Sequence, residues 1–510
     1  MMMPEQFFKR LNTHIKKEWR IAFLSAFVIG FFTYLWHLGS FLVNGDSIHN
    51  FHTEQNTIHL GRCFLTYTCG ISSFYDLPTV NGLLGILYVA FCSVCIAELF
   101  QLKKTLSIVL TSGLLITFPS VASTFAYNFT ADGYLLAMLF GALAVLLTCR
   151  YQFGLFAGAI LLCFSYGSYQ AYIAFTLMIV VVWLIWQLLF LKTPVRRLLG
   201  TIAKLLVMGV LGSLAYLLSL NALLRIQGKK LSSYQGISGG MELSAERIKE
   251  AILSCLHYFK HFFFGGLTPS LYTLLNLLLV VLIAYVVLRL LWKNRIFCHI
   301  PECVLLLLCF ASIPFVTAVF YFISPGVAFH TLMCAGFSMI YLLPILYLEQ
   351  SEISFKPDVV FSWAAFAVLF LSIYNFILAA NINFLYMNRS YEITYGLGLR
   401  IANRIEQTET EEPIRQIGII GEITTEDSGY NLNLPPEMTG AMYPYMVSEQ
   451  LGMTAFLNDY FGLSLRNAPD DVVIPFVHSE KYRTMDIWPG KNSVMVDGDT
   501  LYVKFTDVEW

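Results

Sequence analysis

The segment Asn44-Gly45-Asp46-Ser47-Ile48-His49 sets a carboxylate among small polar side chains, and His49, His52, Glu54, His59 and Arg62 all follow within sixteen positions of Asp46. A carboxylate so placed can act as a general base, taking the proton from an attacking hydroxyl. The same residues also read as an ordinary polar loop, because Asn-Gly-Asp is a common turn. His49, His52 and His59 do not follow HExxH or another tight ligand spacing. A hard cation held by Asp46 and a phosphate would leave little trace in sequence, so a divalent ion stays open and no cofactor is indicated.

Two further stretches carry polar groups at the ends of apolar runs. In Asn128-Phe-Thr-Ala-Asp132-Gly-Tyr134 the carboxylate of Asp132 opens an apolar run, where it reads as a complement to a helix dipole. In Ser165-Tyr-Gly-Ser-Tyr169-Gln170 the aromatics fit an interface belt. Gln170 and Tyr172 fit equally a cleft in which they hydrogen-bond a polar ligand.

The elements that must position these residues are membrane spans. The chain is 57% hydrophobic and 13% charged, against roughly a quarter charged in soluble proteins. Its mean hydropathy is +0.65. Apolar runs lie near 21–43, 79–101, 106–121, 133–149, 153–167, 170–191, 200–223, 269–292, 302–323, 328–348 and 359–382, which gives about eleven spans. The first run follows Lys9, Arg10, Lys16, Lys17 and Arg20 and is too long for a cleavable signal, so it reads as a retained span. The net charge of −1 gives no footprint for nucleic acid. The eleven cysteines lie mostly in apolar runs, and Cys92 and Cys95 read as small core residues rather than a metal or redox pair.

Positive charge orients the spans. With the N-terminus inside, Lys103, Lys104, Arg150, Lys192, Arg196, Arg197, Lys293, Arg295 and Lys356 fall on the cytoplasmic side, while the short connections near 122–132, 167–169 and 324–327 carry no Lys or Arg. Three long segments are then outside: 44–78, 224–268 and 383–510. Within the first two, 58–75 and 243–264 read as amphipathic helices lying in the membrane interface, with a buried soluble hairpin as the alternative. Asp46 is expected at the outer surface, fixed by a rigid helix end. The tail is expected to be a small α+β domain. Gln416–Ile420 and Val472–Val477 look strand-like, Ala441–Phe461 helical, and Ser493–Phe505 a hairpin turning at Asp497-Gly498. The expected architecture is thus a polytopic α-helical membrane domain over 1–382, with outer loops 44–78 and 224–268, and an extracytoplasmic α+β domain over 383–510.

The run from Asn44 to Leu65, with Asp46 after the first span and Gly61-Arg62 behind it, resembles the first outer loop of bacterial membrane glucosyltransferases of the glucosyl transferase II family. That family includes enzymes that decorate O-antigen and alter serotype. The stretches around Asp132 and Gln170 resemble it too, as does Met485–Phe505 in the tail. The chain departs from the pattern at Cys63, where an aromatic is usual, and at His330, where an arginine is expected.

The resemblance implies a GT-C glycosyltransferase, one of the large class of multi-span enzymes that use lipid-linked sugars. It implies a polyprenyl-phosphate-linked donor, glucose by family, and an acceptor hydroxyl on a lipid-linked or nascent surface polysaccharide. It implies Asp46 as the catalytic acid residue and a place in the bacterial inner membrane. It also implies work beside a flippase and a polyprenyl-phosphate glycosyltransferase. Attack at the anomeric carbon needs a base for the hydroxyl and donors for the departing phosphate. Arg62 is the first choice for the phosphate, since arginine can hold it bidentately. Lys229, Lys230 and His330 lie on the same expected side, and His49, Asp132, Tyr169 and Gln170 complete the candidate substrate contacts. Two other classes remain open: a transporter or flippase for lipid-linked sugars, which should show internal repeats and charges near the midplane, and a membrane protein whose outer domain binds polysaccharide.

Overall fold

In the computed structural model the described residues are 3–233, 244–265, 271–324, 327–350, 356–408, 413–422, 438–441, 447 and 450–508. They form a multi-pass helical membrane protein with a small sheet near the C-terminus. Among them, nine helices are long and apolar enough to cross a bilayer: Lys17–Gly39, Pro78–Leu99, Asn128–Arg150, Tyr172–Leu189, Val195–Ile226, Tyr272–Lys293, Ile300–Thr317, Thr331–Gln350 and Lys356–Gln407. Thr105–Thr117 and Pro119–Phe125 make a tenth only as a pair bent by 44°. Pro119 explains the break, because it cannot donate into the preceding turn. The eleventh apolar run forms Gly154–Ser168, whose 15 residues reach only about 22 Å at 1.5 Å per residue, short of a roughly 30 Å hydrocarbon core.

The chain divides into two compact units. The first holds residues 1–40, 54–382 and 435–439; the second holds 41–53, 383–434 and 440–510. The outer loop drawn from sequence as 44–78 is thus shared between them. The last long helix also runs further than its apolar stretch, to Gln407, because no proline interrupts it and Asn388 bonds Glu392 one turn on at 2.8 Å.

In the first unit Asn128–Arg150 packs on Pro78–Leu99 and Gly154–Ser168, and Lys17–Gly39 packs on Pro78–Leu99 and Thr105–Thr117. Small residues permit the close approach. A Cβ on Gly85 would stand 2.8 Å from Leu135 Cδ1. Thr331–Gln350 begins as a 3-10 helix over Thr331–Tyr341 and is buried through Leu348. Its Phe337 and Tyr341 pack against Phe118, Phe262, Phe263 and Phe376. Cys92 and Cys95 are buried in the core as small apolar residues.

One end of this bundle is tied by charge. Glu98 accepts from Lys16 Nζ at 2.7 Å, Trp19 Nε1 at 2.7 Å and an Arg150 guanidinium nitrogen at 2.8 Å, joining the start of the first span to the ends of two others. Lys103 pairs with Glu18 at 3.1 Å nearby. His37, Asn81 and Asn128 sit near the other ends of the same three helices.

The 58–75 stretch is not one amphipathic helix. It forms a 3-10 turn at Ile58–Leu60 and a short helix at Leu65–Cys69, because Gly61 takes φ +79° and turns the chain. The second stretch is a single helix, Ala245–Phe264, capped by Ser244 accepting from Arg247 N, with Ala251, Cys255, Phe262 and Phe263 buried.

The second unit carries four strands, β1 (Gln416–Ile420), β2 (Arg466–Asn467), β3 (Val494–Asp497) and β4 (Thr500–Lys504), in the order β2-β1-β4-β3. β1 runs parallel to β2 and β4, and β3 antiparallel to β4. Asp497 pairs with Thr500, so the hairpin turns through Gly498 and Asp499, one position later than the Asp-Gly pair suggested. Val472–Val477 is not a strand. It lies in the helix Asp470–Val477, where Pro469 caps the start and Asp470 and Asp471 fill the first turn, outweighing the β-branched propensity. The expected helix over 441–461 is described from Gln450 to Phe461, and 442–446 and 448–449 lie outside the described residues.

Candidate active site

The acid-bearing turn belongs to the second unit. Asp46 lies in a 3-10 turn, Gly45–His49. Asn44 caps it, accepting from Ser47 N at 3.0 Å and Ser47 Oγ at 3.2 Å, and Asn50 Nδ2 donates to the Asp46 carbonyl at 2.7 Å. These bonds turn the Asp46 and His49 side chains outward, exposed, while Val43 and Ile48 are buried. The first span ends at Gly39, with extended backbone at Ser40, so a helix end does not fix Asp46 as expected. No group of three or more His, Cys, Asp or Glu arranged for a metal occurs among the described residues.

The remaining candidates belong to the first unit, at the bundle end away from Glu98. Arg62 follows Gly61, whose backbone is held from two sides. Gln170 Nε2 donates to Leu60 O at 3.1 Å, and Tyr216 OH donates to Gly61 O at 3.0 Å while accepting from Gln170 Nε2 at 3.2 Å. A Cβ on Gly61 would collide with that Gln170 amide. Phe64 N donates to Gly167 O at 2.7 Å, fixing the far side of the turn. Cys63 is buried with Ile58, Leu220 and Leu224, so its departure from the aromatic is a packing change.

Arg62 is half-buried beside a stacked tyrosine pair. The rings of Tyr134 and Tyr169 lie 3.9 Å apart at 9°, and the Arg62 guanidinium carbon is 5.5 Å and 5.4 Å from their centroids. A point almost equidistant from two stacked rings lies off their edges, not over either face. Face-on cation–π attraction therefore does not hold Arg62; only the hydroxyl side of the ring edge, which carries lone pairs, attracts a cation.

His330 stands within electrostatic reach of Arg62. It caps the start of Thr331–Tyr341 and is half-buried, and its Nδ1 has no hydrogen-bond partner among the described residues. Burial, then the Arg62 charge, lowers its imidazole to about 4. The ring is neutral at pH 7, so it can offer an N–H to an anion but not a second positive charge.

Asp132 is fully buried, 0% exposed. Its helix begins at Asn128, earlier than the apolar run at 133, so Asp132 lies beyond the first turn and is not a dipole complement. Its Oδ1 accepts from Gly133 N at 2.8 Å, and Ser72 lies within hydrogen-bond reach. Lys229 and Lys230 are exposed past the end of Val195–Ile226, on a segment that reaches the Arg62 turn: Ser232 N donates to His59 O at 2.9 Å, and Leu231 packs beside Ile58 and Cys63. Arg62, Tyr169, Gln170 and His330 are thus brought together. Lys229 and Lys230 lie on the segment that packs beside this turn, and Asp46 and His49 lie in the other unit.

A buried polar group beside this cluster escaped the sequence reading. Asn128 Nδ2 donates to the carboxylate of Asp76, and Asn81 Nδ2 donates to Asn128 O at 3.1 Å. Burial raises the Asp76 carboxyl to about 6, against the opposing bond from Asn128. The only local signal was an acid two residues before Pro78, which reads as a helix start.

A family model described as glucosyl transferase GtrII matches residues 35–343, a span that contains Asp46, Arg62, Asp132, Gln170 and His330. The tail segment Met485–Phe505 lies outside the match. No individual curated protein matches the chain. The match covers more than half of a chain whose helices cross the membrane many times, and the chain belongs to the glucosyl transferase GtrII family.

Proposed function

We propose that this membrane glucosyltransferase takes glucose from a polyprenyl-phosphate-linked donor and transfers it to a hydroxyl of a lipid-linked or nascent surface polysaccharide, such as O-antigen. The reaction runs on the outer face of a bacterial inner membrane, with the N-terminus cytoplasmic and the C-terminal unit outside. It is a single displacement of the GT-C type. Asp46 takes the proton from the acceptor hydroxyl as its oxygen bonds to the anomeric carbon. The bond from that carbon to the phosphate oxygen breaks, polyprenyl phosphate leaves, and the configuration inverts. Arg62 holds the departing phosphate with its fixed positive charge, and neutral His330 donates a hydrogen bond to it. Tyr169 and Gln170 place Arg62. A flippase and a polyprenyl-phosphate glycosyltransferase supply the donor.

The observation that carries this reading is the Arg62 cluster. An arginine, a half-buried neutral imidazole whose Nδ1 has no partner among the described residues, and a braced backbone turn meet at the bundle end opposite the Lys/Arg-rich one. Such a set suits an anionic headgroup presented at the membrane surface. Positive charge at the other end agrees with a cytoplasmic placement of that end.

The test is sugar transfer in membranes containing the full chain, supplied with polyprenyl-phosphate-[14C]glucose and the host's lipid-linked glycan. Asp46→Asn should abolish transfer at normal protein levels. Arg62→Ala should raise the donor KM and lower kcat. Full activity in Asp46→Asn removes the base assignment. If wild type transfers no glucose but moves the donor across the bilayer, the transporter class replaces this reading.

A further inference from the structure

The turn that carries Asp46 is shaped locally but not placed locally. Asn44, Ser47 and Asn50 give it its form. None of these bonds ties it to another element. The preceding span ends at Gly39, and the backbone runs extended at Ser40. Extended backbone of this kind does not continue the register of the preceding helix.

Two apolar side chains on either side of Asp46 do reach another element. Val43 is 1% exposed and Ile48 is 4% exposed. Both lie in the same hydrophobic cluster as Leu397, Ile417, Met453 and Phe456, drawn from the long last helix, β1 and the helix Gln450–Phe461. The turn packs directly on Gln450–Phe461. These partners are about 350 to 410 residues downstream and lie outside the stretch matched by the family model.

We propose that Ile48 and Val43 are positioning residues for Asp46, and that the C-terminal unit serves the reaction as the scaffold that holds this turn. The inference rests on the assignment of Asp46 as base. Burying Ile48 in the core orients the 3-10 turn, and so the exposed carboxylate two residues before it. A side chain that must meet a hydroxyl within hydrogen-bond reach loses rate steeply when displaced by even an ångström. The proposal gives the C-terminal unit a task that needs no ligand contact of its own.

The second unit offers an internal control. A separate cluster of Ile420, Val473, Phe476, Tyr482 and Tyr502 contains no residue of 41–53. Val473→Ala therefore loosens the same unit without touching the turn.

The experiment measures glucose transfer from polyprenyl-phosphate-[14C]glucose with full-length protein in membranes, over a range of donor concentrations and pH. Thermal unfolding in detergent is run on each variant. Ile48→Ala should lower kcat about tenfold or more with the donor KM within about twofold of wild type. It should also move the acid limb of the kcat–pH profile, because the environment of the base changes. Ile48→Leu, which refills the volume, should restore most of the rate. Val473→Ala, at comparable loss of thermal stability, should keep kcat within about twofold. If Ile48→Ala does not accumulate, the graded pair Ile48→Val and Val43→Ala is read the same way. An unchanged kcat and pH profile in these variants overturns the proposal, and so does an equal loss in Val473→Ala. Asp46→Asn is run in parallel. If it stays active, the base assignment itself has failed. If it is dead while Ile48→Ala is normal, only the scaffold role has failed.

Discussion

The side-chain amide of Gln170 donates to the carbonyl oxygen of Leu60 at 3.1 Å, two residues before Arg62. The same nitrogen reaches Tyr216 OH, which in turn holds Gly61. Gln170 therefore acts on Arg62 through the backbone. This differs from a ligand-binding role in a cleft.

Gln170→Ala removes both bonds and leaves Leu60 and Tyr216 short of a partner, at about 1–2 kcal/mol. The expected result is a donor KM raised about tenfold with a smaller fall in kcat, since Arg62 keeps its charge but loses its place. Gly61→Ala should behave similarly, because it forces a side chain into φ +79° and against the Gln170 amide. Kinetics at varied donor concentration check both. A normal KM in Gln170→Ala, beside a raised one in Arg62→Ala, would show that Gln170 does not position Arg62.

The tyrosine pair makes a sharper prediction. Were Arg62 held by the ring faces, Tyr134→Phe and Tyr169→Phe would leave it undisturbed. Beside their edges, where the outward C–H dipoles repel a cation, the expected partners are the hydroxyl oxygens. Each Phe variant should therefore raise the donor KM about three- to tenfold, and the double variant more, consistent with charge-assisted hydrogen bonds of about 1–2 kcal/mol. Wild-type kinetics in the double Phe variant would return the contact to the ring faces.

What the sequence revealed, and what it hid, divides by range. The spans were legible because each is a continuous apolar run, and even the two irregular ones, Thr105–Phe125 and Gly154–Ser168, were visible as short. Gln170 and His330 were legible as polar residues at the ends of such runs, and Arg62 as a cation in the first outer loop behind Asp46. Their pairing was not, because it joins residues more than a hundred positions apart. Val472–Val477 was misjudged because β-branched propensity ignores the Pro469 and Asp470 start signal. The 58–75 stretch was misjudged because its apolar residues pack against the bundle on either side of a glycine turn. Asp76 showed only as an acid before a helix start, and the anchoring of Ile48 in the C-terminal core leaves no local pattern at all.

His330 and Asp76 pull stability in opposite directions as pH changes. His330 titrates near 4 when folded and near 6.5 when unfolded. As pH falls through that window the unfolded chain takes the proton first, so the fold loses stability. Asp76 titrates near 6 when folded and near 3.8 when unfolded. Here the folded chain takes the proton first, so the stabilising contribution is full at the acid end and is lost as pH rises through about 6. Asp76→Asn keeps an oxygen for Asn128 and removes this titration. The variant should be more stable than wild type near neutral pH, by on the order of 1–2 kcal/mol, and the advantage should shrink toward pH ~4. Thermal unfolding in detergent across this range checks it. A variant that is less stable at neutral pH would mean that the carboxylate is stabilised where it lies.

Glu98 carries the last prediction, at the bundle end away from Arg62. Its carboxylate accepts from Lys16, Trp19 and Arg150, and so joins three helices. Lys16 and Arg150 are 45% and 38% exposed at their side chains and Glu98 is 16%, so water screens the ion pairs and the neutral Trp19 bond matters as much as they do. Glu98→Gln keeps the shape but offers one acceptor oxygen for these donors and removes the charge between two cations. The expected loss is on the order of 1–2 kcal/mol, with Trp19→Phe costing about 1 and Lys16→Ala less. Because the cluster lies at the far end from Arg62, kcat and donor KM per folded molecule should stay within about twofold of wild type. Unfolding in detergent, paired with transfer kinetics normalised to folded protein, separates the two readouts. A kinetic defect in Glu98→Gln without a stability loss would mean that the two ends of the bundle are coupled, and that the braced turn at Gly61 answers to more than Gln170 and Tyr216.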